Sequence, residues 1–345
     1  MYFAPLNTRM SATHKHRILL APLDWGLGHA TRCVPLIDRW LAAGHEVILA
    51  GNGRSAAWLA NRYPQLELHT DIPDYAITYP KNGNMTIHFA KHFFRLLGVI
   101  EAERRWLDQF MKKHTIHQVC SDNRYGLSHP DVPCTLITHQ LNLRVPRIVK
   151  VFTQRLLSNR LKTFNQVWVP DTASESGLSG ALSHGGRMDF SVQYIGPLSR
   201  FDNPSPNPSS ASFNVVAIVS GPEPTRTMFE QQLRQLLPAL PCKSLLVLGK
   251  PDEDLYQETG NLTVRNHLAD AELARALQGA ELIVARSGYS TIMDLAALNL
   301  KALLVPTPGQ TEQEYLAKYH SERGNHSMIR QHKLTLEVIQ SALQR

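Results

Sequence analysis

The sequence contains no long apolar run. Nowhere do about 18 apolar residues follow one another, which is the length that a helix needs to cross a bilayer. The first 15 residues are polar and mildly basic, and they lack the apolar core of a secretion signal. We therefore expect a cytoplasmic protein without a spanning helix, either free or peripheral at the inner face of the cytoplasmic membrane.

Cysteine is scarce and scattered. The chain has four cysteines, Cys33, Cys120, Cys134 and Cys242, with no CxxC pair and no Cys/His cluster. This pattern argues against a structural zinc site and against a disulfide framework. Reduced thiols are the simplest interpretation, and they agree with a cytoplasmic protein.

Charged residues are distributed unevenly along the sequence. Residues 1–210 carry 23 Lys+Arg and 15 Asp+Glu, whereas residues 211–345 carry 13 and 14. The 345 residues suffice for two domains, and the asymmetry indicates that the two halves have different partners. Nucleic acid is not expected as a partner, because no nucleic-acid motif or basic–aromatic repeat accompanies the basic charge.

The most informative pattern is residues 283–314, IVARSGYSTIMDLAALNLKALLVPTPGQTEQE. Residues 282–285 form a short apolar strand, 286–290 a tight turn, 291–298 a helical pattern and 301–305 a second buried strand. The turn thus ends at a helix N terminus, whose free N–H groups and positive dipole suit an anion such as a phosphate. Asp294, one helical turn later, is placed to accept hydrogen bonds from a hydroxylated group.

The chain opens with a strand at 16–21, a glycine-bearing loop at 22–29, a helix at 30–43 and a strand at 46–50. The loop reads PLDWGLGH, so the GxGxxG fingerprint is incomplete, and no acidic residue follows the second strand closely. NAD binding is therefore disfavoured. His29 ends the loop, and a histidine of near-neutral pKa is suited to accept a proton. The alternative is that His29 only caps the helix or is a structural histidine.

Residues 283–314 resemble the nucleotide-sugar signature of inverting glycosyltransferases of the GT-B type. The closest likeness is to family 28, which adds N-acetylglucosamine to a lipid-linked peptidoglycan precursor. Its pattern is Ser-Gly-small-Ser/Thr-Thr, an acidic residue, small apolar residues, a strand, Pro and a Gln pair. The matching residues are Ser287, Gly288, Ser290, Thr291, Asp294, Ala296, Ala297, Pro306 and Gln313. Asp294 replaces the usual Glu, and Glu314 replaces the second Gln.

The first loop resembles two groups equally. One is the Gly-x-Gly-His loop of the same transferases, and the other is the Gly-Gly-Gly-His-x-x-Arg-Cys loop of nucleotide-sugar hydrolases in pseudaminic acid synthesis. The matching residues here are Gly26, Gly28, His29, Arg32 and Cys33. In these relatives the histidine lies where it can take a proton from the attacking hydroxyl or water.

The resemblance implies an α/β protein of GT-B architecture, with two Rossmann-like, doubly wound parallel-sheet domains that face each other across a cleft. Residues 15–200 would form the acceptor-side domain and residues 213–345 the donor domain, whose last helix often packs back on the first domain in such folds. Residues 201–212 are rich in Pro, Ser and Asn and are the predicted linker.

The resemblance also implies the site residues. His29 would be the catalytic base, while Asp122 would orient it or bind the acceptor, or else be only a solvated turn former. Gly26, Gly28 and Arg124 would lie on the acceptor side. The expected donor-binding residues are Ser220, Gly221, Thr225, Arg226, His267, Arg286, Ser287, Gly288, Ser290, Thr291, Asp294 and Gln313.

A basic amphipathic stretch, Arg144 to Lys162, lies within residues 132–170, which contain no acidic residue. Such a stretch favours an anionic membrane surface or a lipid-phosphate acceptor, although a solvated helix with an inward apolar side is an equal alternative. Asp252–Asp254 fits the metal-binding Asp-x-Asp of the other transferase fold, GT-A, but lies in a polar stretch and is interpreted as a solvated loop. No metal and no cofactor are therefore expected.

The sequence thus predicts a metal-independent inverting glycosyltransferase that uses a nucleotide-diphosphate sugar, such as a UDP-sugar, as substrate. The acceptor would be a hydroxyl, of a lipid-linked or cell-envelope glycan. A hydrolase of the pseudaminic-acid type is the first alternative, with water as the acceptor. An epimerase or a nucleotide-sugar sensor on the same fold is the second.

Overall fold

The computed structural model describes residues 15–75, 85–144, 147–186, 189–201, 213–251 and 254–344, and in 85–94 and 147–150 it describes the backbone alone. These residues form two compact units. The first comprises residues 15–25, 29–75 and 86–198, and the second comprises 26–28, 85 and 199–344. The predicted linker lies outside the described residues except for Phe201, as do residues 252 and 253 of the Asp-x-Asp pattern.

The first unit is a seven-stranded parallel sheet in the order β3-β2-β1-β4-β5-β6-β7. Its strands are β1 (Arg17–Pro22), β2 (Glu46–Ala50), β3 (Glu67–His69), β4 (Gln118–Asp122), β5 (Cys134–Ile137), β6 (Gln166–Val169) and β7 (Val192–Tyr194). Its helices are α1 (Leu27–Ala42), α2 (Gly53–Arg62), α3 (Met85–Lys113) and α4 (Arg147–Leu161). The central strands β1, β4 and β5 are buried except for Arg17 at the start of β1, because helices cover both faces of such a sheet.

The second unit is also a seven-stranded sheet, in the order β10-β11-β9-β8-β12-β13-β14. Its strands are β8 (Val215–Ile218), β9 (Ser244–Val247), β10 (Tyr256–Thr259), β11 (Leu262–Arg265), β12 (Leu282–Ala285), β13 (Leu303–Leu304) and β14 (Ser327–Met328). Its helices are α5 (Thr225–Leu236), α6 (Asp270–Gly279), α7 (Tyr289–Ala297), α8 (Thr311–Glu322) and α9 (Leu336–Leu343). Every pairing is parallel except that of β10 with β11.

The two sheets share one winding pattern. In each, the first strand lies at the middle, the next strands extend to one side, and the chain then crosses to the other side. The reversal falls between β1 and β4 in the first unit and between β8 and β12 in the second. Ligands of open α/β sheets bind beyond the carboxyl ends of the strands at this switch point. The predicted fold class, two Rossmann-like parallel-sheet domains, is confirmed.

Several details differ from the sequence-based prediction. Helix α1 begins at Leu27, three residues earlier than predicted, and β13 covers only Leu303–Leu304 of the predicted residues 301–305. Helix α7 begins at Tyr289, two residues earlier than predicted. Strand β10 was not predicted, because all four of its residues are exposed and only Tyr256 is large and apolar, so no burial pattern marks it. Helix α9 packs in the second unit, where Ile339 is fully buried in the core. Among the described helices, none has the length and apolar character to span a bilayer.

Candidate functional site

His29 and Asp122 meet at the switch point of the first unit. Gly26, with φ +106°, turns the chain after β1, and α1 then begins so that His29 lies in its first turn. Asp122 is the last residue of β4, beside Pro22 of β1 in the sheet register. The Nδ1 atom of His29 lies 3.2 Å from Oδ2 of Asp122. The carboxyl ends of two adjacent strands thus bring together two residues that are 93 positions apart.

Asp122 is fully buried, which excludes its interpretation as a solvated turn former. The Nε atom of Arg32 donates to Oδ2 of Asp122 at 2.7 Å, and its Nη2 atom donates to Oδ1 in the same fork. Burial would raise the pKa of Asp122, but the Arg32 guanidinium and then His29 outweigh it and lower the pKa to about 2. Asp122 is therefore an anion at neutral pH.

His29 is held as a neutral imidazole at neutral pH. Burial, followed by the nearby Arg32 cation, lowers its pKa, and Asp122 opposes them. His139, which comes two residues after β5 and is itself buried, adds a smaller lowering effect. The His29 side chain is 15% exposed, so the ring is accessible at one edge. A neutral, reachable imidazole beside a fixed carboxylate is an arrangement that can accept a proton.

Arg124, which is predicted on the acceptor side, is fully buried within the first unit. Its guanidinium donates to the carbonyls of Pro22 and Pro73, to the carboxylate of Glu103 at 3.0 Å and to the side chain of Asn52. These contacts join the loops after β1, β2 and β3. Its acceptor role stays a prediction, and the contacts that it makes are structural.

The turn at Gly288 in the second unit has the geometry of an anion site. Gly288 is the N-cap of α7, with φ −67° and ψ 146°, and as a glycine it has no side chain with which to cap the helix. A methyl group added at Gly288 would meet only Thr291 Oγ1, at 4.0 Å. Ser290 and Thr291, in the first turn, are partly buried. The predicted combination of small residues and a helix start is present.

Asp294 is one turn into α7 and partly buried, with a side chain 17% exposed. Its Oδ1 atom accepts a hydrogen bond from Ser199 Oγ at 2.7 Å, and its Oδ2 atom lies 3.8 Å from Nε of Arg200. Arg200 also pairs with Asp270 at 3.1 Å, and both charges lie close enough to His267 to affect it. Burial, then Arg200, lowers the pKa of His267. The predicted donor residues Asp294 and His267 therefore belong to one polar cluster.

Arg286 is the structural centre of this part of the second unit. Its fully buried guanidinium donates to the carbonyls of Val305, Pro306 and Thr225 and to the side chain of Gln331, and it stacks on Phe229, 4.0 Å from the ring centroid. It thus ties the turn after β12 to the start of α5 and to the loop after β13. Its predicted contact with a donor stays a prediction.

The N terminus of α5, where the predicted donor residues Thr225 and Arg226 lie, already has a carboxylate hydrogen-bonded to it. Glu223 accepts from the backbone N–H and the hydroxyl of Thr227, and it pairs with Arg226. Arg226 is buried and also donates to the carbonyl of Leu248 at 3.2 Å, while the Thr225 hydroxyl donates to the carbonyl of Pro222. The side chains of Thr225 and Arg226, which are predicted to bind the donor, therefore make their hydrogen bonds within the protein.

Four more predicted donor residues lie around the same sheet edge. Ser287 is fully buried, and its hydroxyl donates to the carbonyl of Gln313 at 2.8 Å. The Gln313 side chain accepts from the backbone N–H of Thr307, so it shapes the loop after β13. Ser220 and Gly221 follow β8, and Gly221 has φ +103°, which favours glycine there. Gly28, which is predicted on the acceptor side and not among the donor residues, is in the first turn of α1.

One group of described residues has the composition of a metal site. Glu67 and His69 of β3 and His114, just after α3, place ligand atoms within 4.8 Å of one another. Their present contacts are protein contacts, because His69 Nε2 is 2.8 Å from Glu67 Oε1 and Arg17 lies 3.8 Å from the other Glu67 oxygen. The rings of His69 and His114 also pack on Phe110. The group lies on the edge strand, away from the β1–β4 switch point.

The basic stretch is α4 and its flanks. Leu157, Leu161 and Phe164 are buried, as the inward-packing alternative requires, yet Val151 and Phe152 are 80% and 64% exposed. One side of α4 thus packs inwards, as expected for a solvated helix with an inward apolar side. The other side exposes apolar residues, as expected for a membrane or lipid-phosphate contact.

Arg32 belongs to the loop resemblance but is not among the predicted site residues, and His139 is not predicted at all. The signal for Arg32 is its i+3 spacing from His29, which puts both on one face of a helix. The signal for His139 is its position just past a strand that neighbours β4. For Glu223, a carboxylate directly before a helix start is the signal.

Comparison with known proteins finds a family similarity in part of the second unit. Residues 249–345 match the family model of the glycosyltransferase family 28 C-terminal domain. A UDP-N-acetylglucosamine--N-acetylmuramyl-(pentapeptide) pyrophosphoryl-undecaprenol N-acetylglucosamine transferase from Actinobacillus pleuropneumoniae serotype 5b (strain L20) is 34% identical over 93 residues. The match covers 27% of this chain and 26% of the length of that relative. Both matches are confined to a minor part of the chain.

Solved structures resemble the whole chain. The glycotransferase of kitacinnamycin has a TM-score of 0.63 at 16% identity and covers 96% of this chain and 90% of its own. Spinosyn rhamnosyltransferase SpnG, complexed with thymidine diphosphate, has a TM-score of 0.60 at 17% identity and covers 95% and 92%. At this identity the likeness concerns the fold alone. The predicted fold is therefore confirmed: the chain has the GT-B fold, and residues 249–345 are similar to the C-terminal domain of glycosyltransferase family 28.

Proposed function

We propose that the protein is an inverting glycosyltransferase that moves a sugar from a nucleoside-diphosphate donor to an acceptor hydroxyl. The observation that carries this proposal is the small-residue turn at Gly288, where α7 begins with a glycine N-cap, because it is a phosphate-type helix start inside the segment that matches family 28. UDP-N-acetylglucosamine is the first donor to test, since the curated relative is named for it. The complex of SpnG with thymidine diphosphate supports a diphosphate as the shared element.

The donor diphosphate binds the first-turn N–H groups of α7 in this proposal. Asp294 accepts hydrogen bonds from hydroxyl groups of the ribose, which replace the hydrogen bond that Ser199 Oγ now donates at 2.7 Å. The same backbone groups stabilise the charge that develops on the leaving diphosphate. Because Glu223 already occupies the start of α5, the diphosphate binds at α7, and α5 has only a supporting role.

His29 acts as the base. Its Nε2 atom takes the proton from the acceptor hydroxyl while Nδ1–H donates to Asp122, which stays ionised and stabilises the imidazolium that forms. The acceptor oxygen then forms a bond to the anomeric carbon as the bond to the diphosphate oxygen breaks. A single displacement of this kind inverts the anomeric configuration.

The acceptor is proposed to be lipid-linked. Val151 and Phe152 are exposed apolar residues on α4, and Arg144, Arg155 and Lys162 lie in the same basic stretch. An apolar and basic surface of this kind suits an anionic bilayer or the phosphate of a lipid-linked acceptor. The protein would then work at the inner face of the membrane.

Substitution of Gly288 tests the donor site without the risk of unfolding. In Gly288→Asp the new carboxylate takes the N-cap position, where Asp is favoured over Gly by roughly a few tenths of a kcal/mol, so α7 is expected to stay folded. The same carboxylate repels a diphosphate. We expect calorimetry with UDP-N-acetylglucosamine and with UDP to show loss of binding, while the Tm stays the same or rises.

Gly288→Asn is the matched control, because it caps the helix without charge and is expected to bind more weakly than wild type but measurably. Equal affinity of the Asp variant and wild type would overturn the donor site. If none of the UDP-, GDP-, dTDP- and CMP-linked donors binds wild type, the proposed function itself fails. Rapid release of nucleotide from donor alone, without acceptor, would assign a hydrolase.

A further inference from the structure

The Nδ1 atom of His29 faces two partners with opposite demands. It lies 2.8 Å from Nη2 of Arg32 and 3.2 Å from Oδ2 of Asp122. A guanidinium only donates hydrogen bonds, and an ionised carboxylate only accepts them. A neutral imidazole has one N–H, so Nδ1 either accepts from Arg32 or donates to Asp122 and cannot do both.

The choice determines where the ring can take a proton. When Nδ1 accepts from Arg32, the ring proton is on Nε2, and Nε2 cannot act as a base. When Nδ1–H donates to Asp122, the lone pair of Nε2 is available. The 2.8 Å contact is within ordinary hydrogen-bond range, and the 3.2 Å contact is at its limit, so the geometry favours the form protonated at Nε2.

Because the cluster is buried, Nδ1 of His29 must pair with either Arg32 or Asp122. Arg32 is 2% exposed and Asp122 is not exposed at all, so water does not replace either partner readily. Arg32 also has its own hold on Asp122, because Nε donates to Oδ2 at 2.7 Å and Nη2 reaches Oδ1. The guanidinium can therefore release Nδ1 and remain paired with the carboxylate.

We propose that Arg32 is a positioning residue that selects the tautomer of His29. Its contact with Nδ1 holds the ring in the form that cannot accept a proton at Nε2. Withdrawal of Arg32 from Nδ1, while it stays on Asp122, releases the form that can. The inference rests on the proposed function of His29 as the base, but the tautomer itself can be measured in the free protein.

The test is a long-range ¹H–¹⁵N spectrum of histidine-labelled protein, recorded at a pH where His29 is neutral and assigned with His29→Asn. For wild type we expect Nδ1 to be pyridine-type and Nε2 to be pyrrole-type. In Arg32→Lys the ammonium takes the place of the central guanidinium carbon, so the charge stays beside Asp122 while the donor to Nδ1 is withdrawn. We expect the two nitrogen types to exchange in this variant.

A merely structural role for Arg32 would not exchange them. The inference is overturned if wild type already carries the proton on Nδ1, or if the Lys variant keeps the wild-type tautomer. Should the Lys variant not fold, judged by circular dichroism and Tm, Asp122→Asn replaces it: Arg32 remains, so Nε2 is expected to keep the proton. A swap to Nδ1–H in that variant would equally reject the inference.

Activity separates the inference from the function on which it rests. Arg32→Lys should leave the donor Kd unchanged and raise kcat several-fold, since more of the enzyme carries a free Nε2. An exchanged tautomer with wild-type or lower kcat would contradict the proposed selection and leave His29 as the base. Wild-type kcat in His29→Asn would instead reject the proposed function, whatever the spectra show.

Discussion

At the scale of single residues, the most important feature of the first unit is a buried carboxylate, that of Asp122, which stays ionised at neutral pH. Asp122 is buried between Arg32 and His29, and its pKa of about 2 keeps it ionised throughout the physiological range. A fixed anion at this place orients the imidazole and compensates the charge that the ring gains with a proton. His29 itself is more exposed, so it is the member of the cluster that can reach a substrate.

Replacement of His29 by Ala is therefore expected to affect turnover and not donor binding. Loss of a general base typically lowers the rate by about 10²- to 10⁴-fold. We expect kcat to fall within this range in steady-state transfer assays, while the donor Kd from calorimetry stays within about twofold of wild type. An equal loss of donor affinity would reject the assignment of His29 as the base.

A second residue, His326, makes the stability of the second unit depend on pH. Its Nδ1 atom accepts from the backbone N–H of Ala302, and burial, followed by His320 and Lys301, lowers its pKa to about 4. The unfolded chain binds this proton near pH 6.5, whereas the folded state resists it. The contribution to stability is thus complete above about pH 6.5 and declines as the pH falls towards about 4, by on the order of 2 kcal/mol.

The measurement is Tm against pH for wild type and His326→Asn. Asn keeps an acceptor for Ala302 but does not titrate in this range. Between pH 7 and pH 4.5 we expect wild type to lose about 4–8 °C more than the variant. Parallel curves for the two proteins would show that His326 does not supply the pH dependence.

At the scale of elements, the strand–turn–helix of β12 and α7 was predictable, and the directions of long side chains were not. The sequence shows an apolar run, a small-residue turn and a helical period, which together define the element. It does not show that Arg226 and Arg124 turn inwards, because an arginine can reach solvent or a buried carbonyl from the same backbone position. Nor does it show that Glu223 occupies the start of α5, since that depends on the loop that precedes the helix.

Helix α4 carries the prediction for the element scale. Val151 is 80% exposed, so Val151→Asp should change stability little and should remove apolar contact with a bilayer. We expect wild type to sediment with phosphatidylglycerol vesicles and not with phosphatidylcholine vesicles, and the bound fraction to fall as salt rises. Met228→Asp, at a 52% exposed position on α5, is the matched control and should bind as wild type does. Equal binding of the two variants would reject α4 as the membrane contact.

At the scale of the whole molecule, the proposed base lies in the first unit and the proposed donor site in the second. The basic charge is concentrated in the first of these two parts of the sequence. The basic residues concentrate before residue 211, in the half that holds His29, Asp122 and α4. The proposed phosphate site in the nearly neutral second half is a helix N terminus at Gly288, and a site of backbone N–H groups needs no excess of lysine or arginine. Both the uneven charge and the helix start at the Gly288 turn were predictable from the sequence, and in the proposed function the second explains why the donor side needs little basic charge.

The proposed phosphate site at the start of α7 also predicts how the transfer activity responds to chelators. If α7 stabilises the leaving diphosphate, EDTA should leave kcat within about twofold of the untreated value, because no divalent ion carries that charge. Added Mg²⁺ or Mn²⁺ should not increase it. Loss of activity in EDTA that Mg²⁺ restores would contradict the metal-independent mechanism. Loss that only Zn²⁺ restores, and that His69→Ala reproduces, would instead show that Glu67, His69 and His114 hold an ion on which the first unit depends.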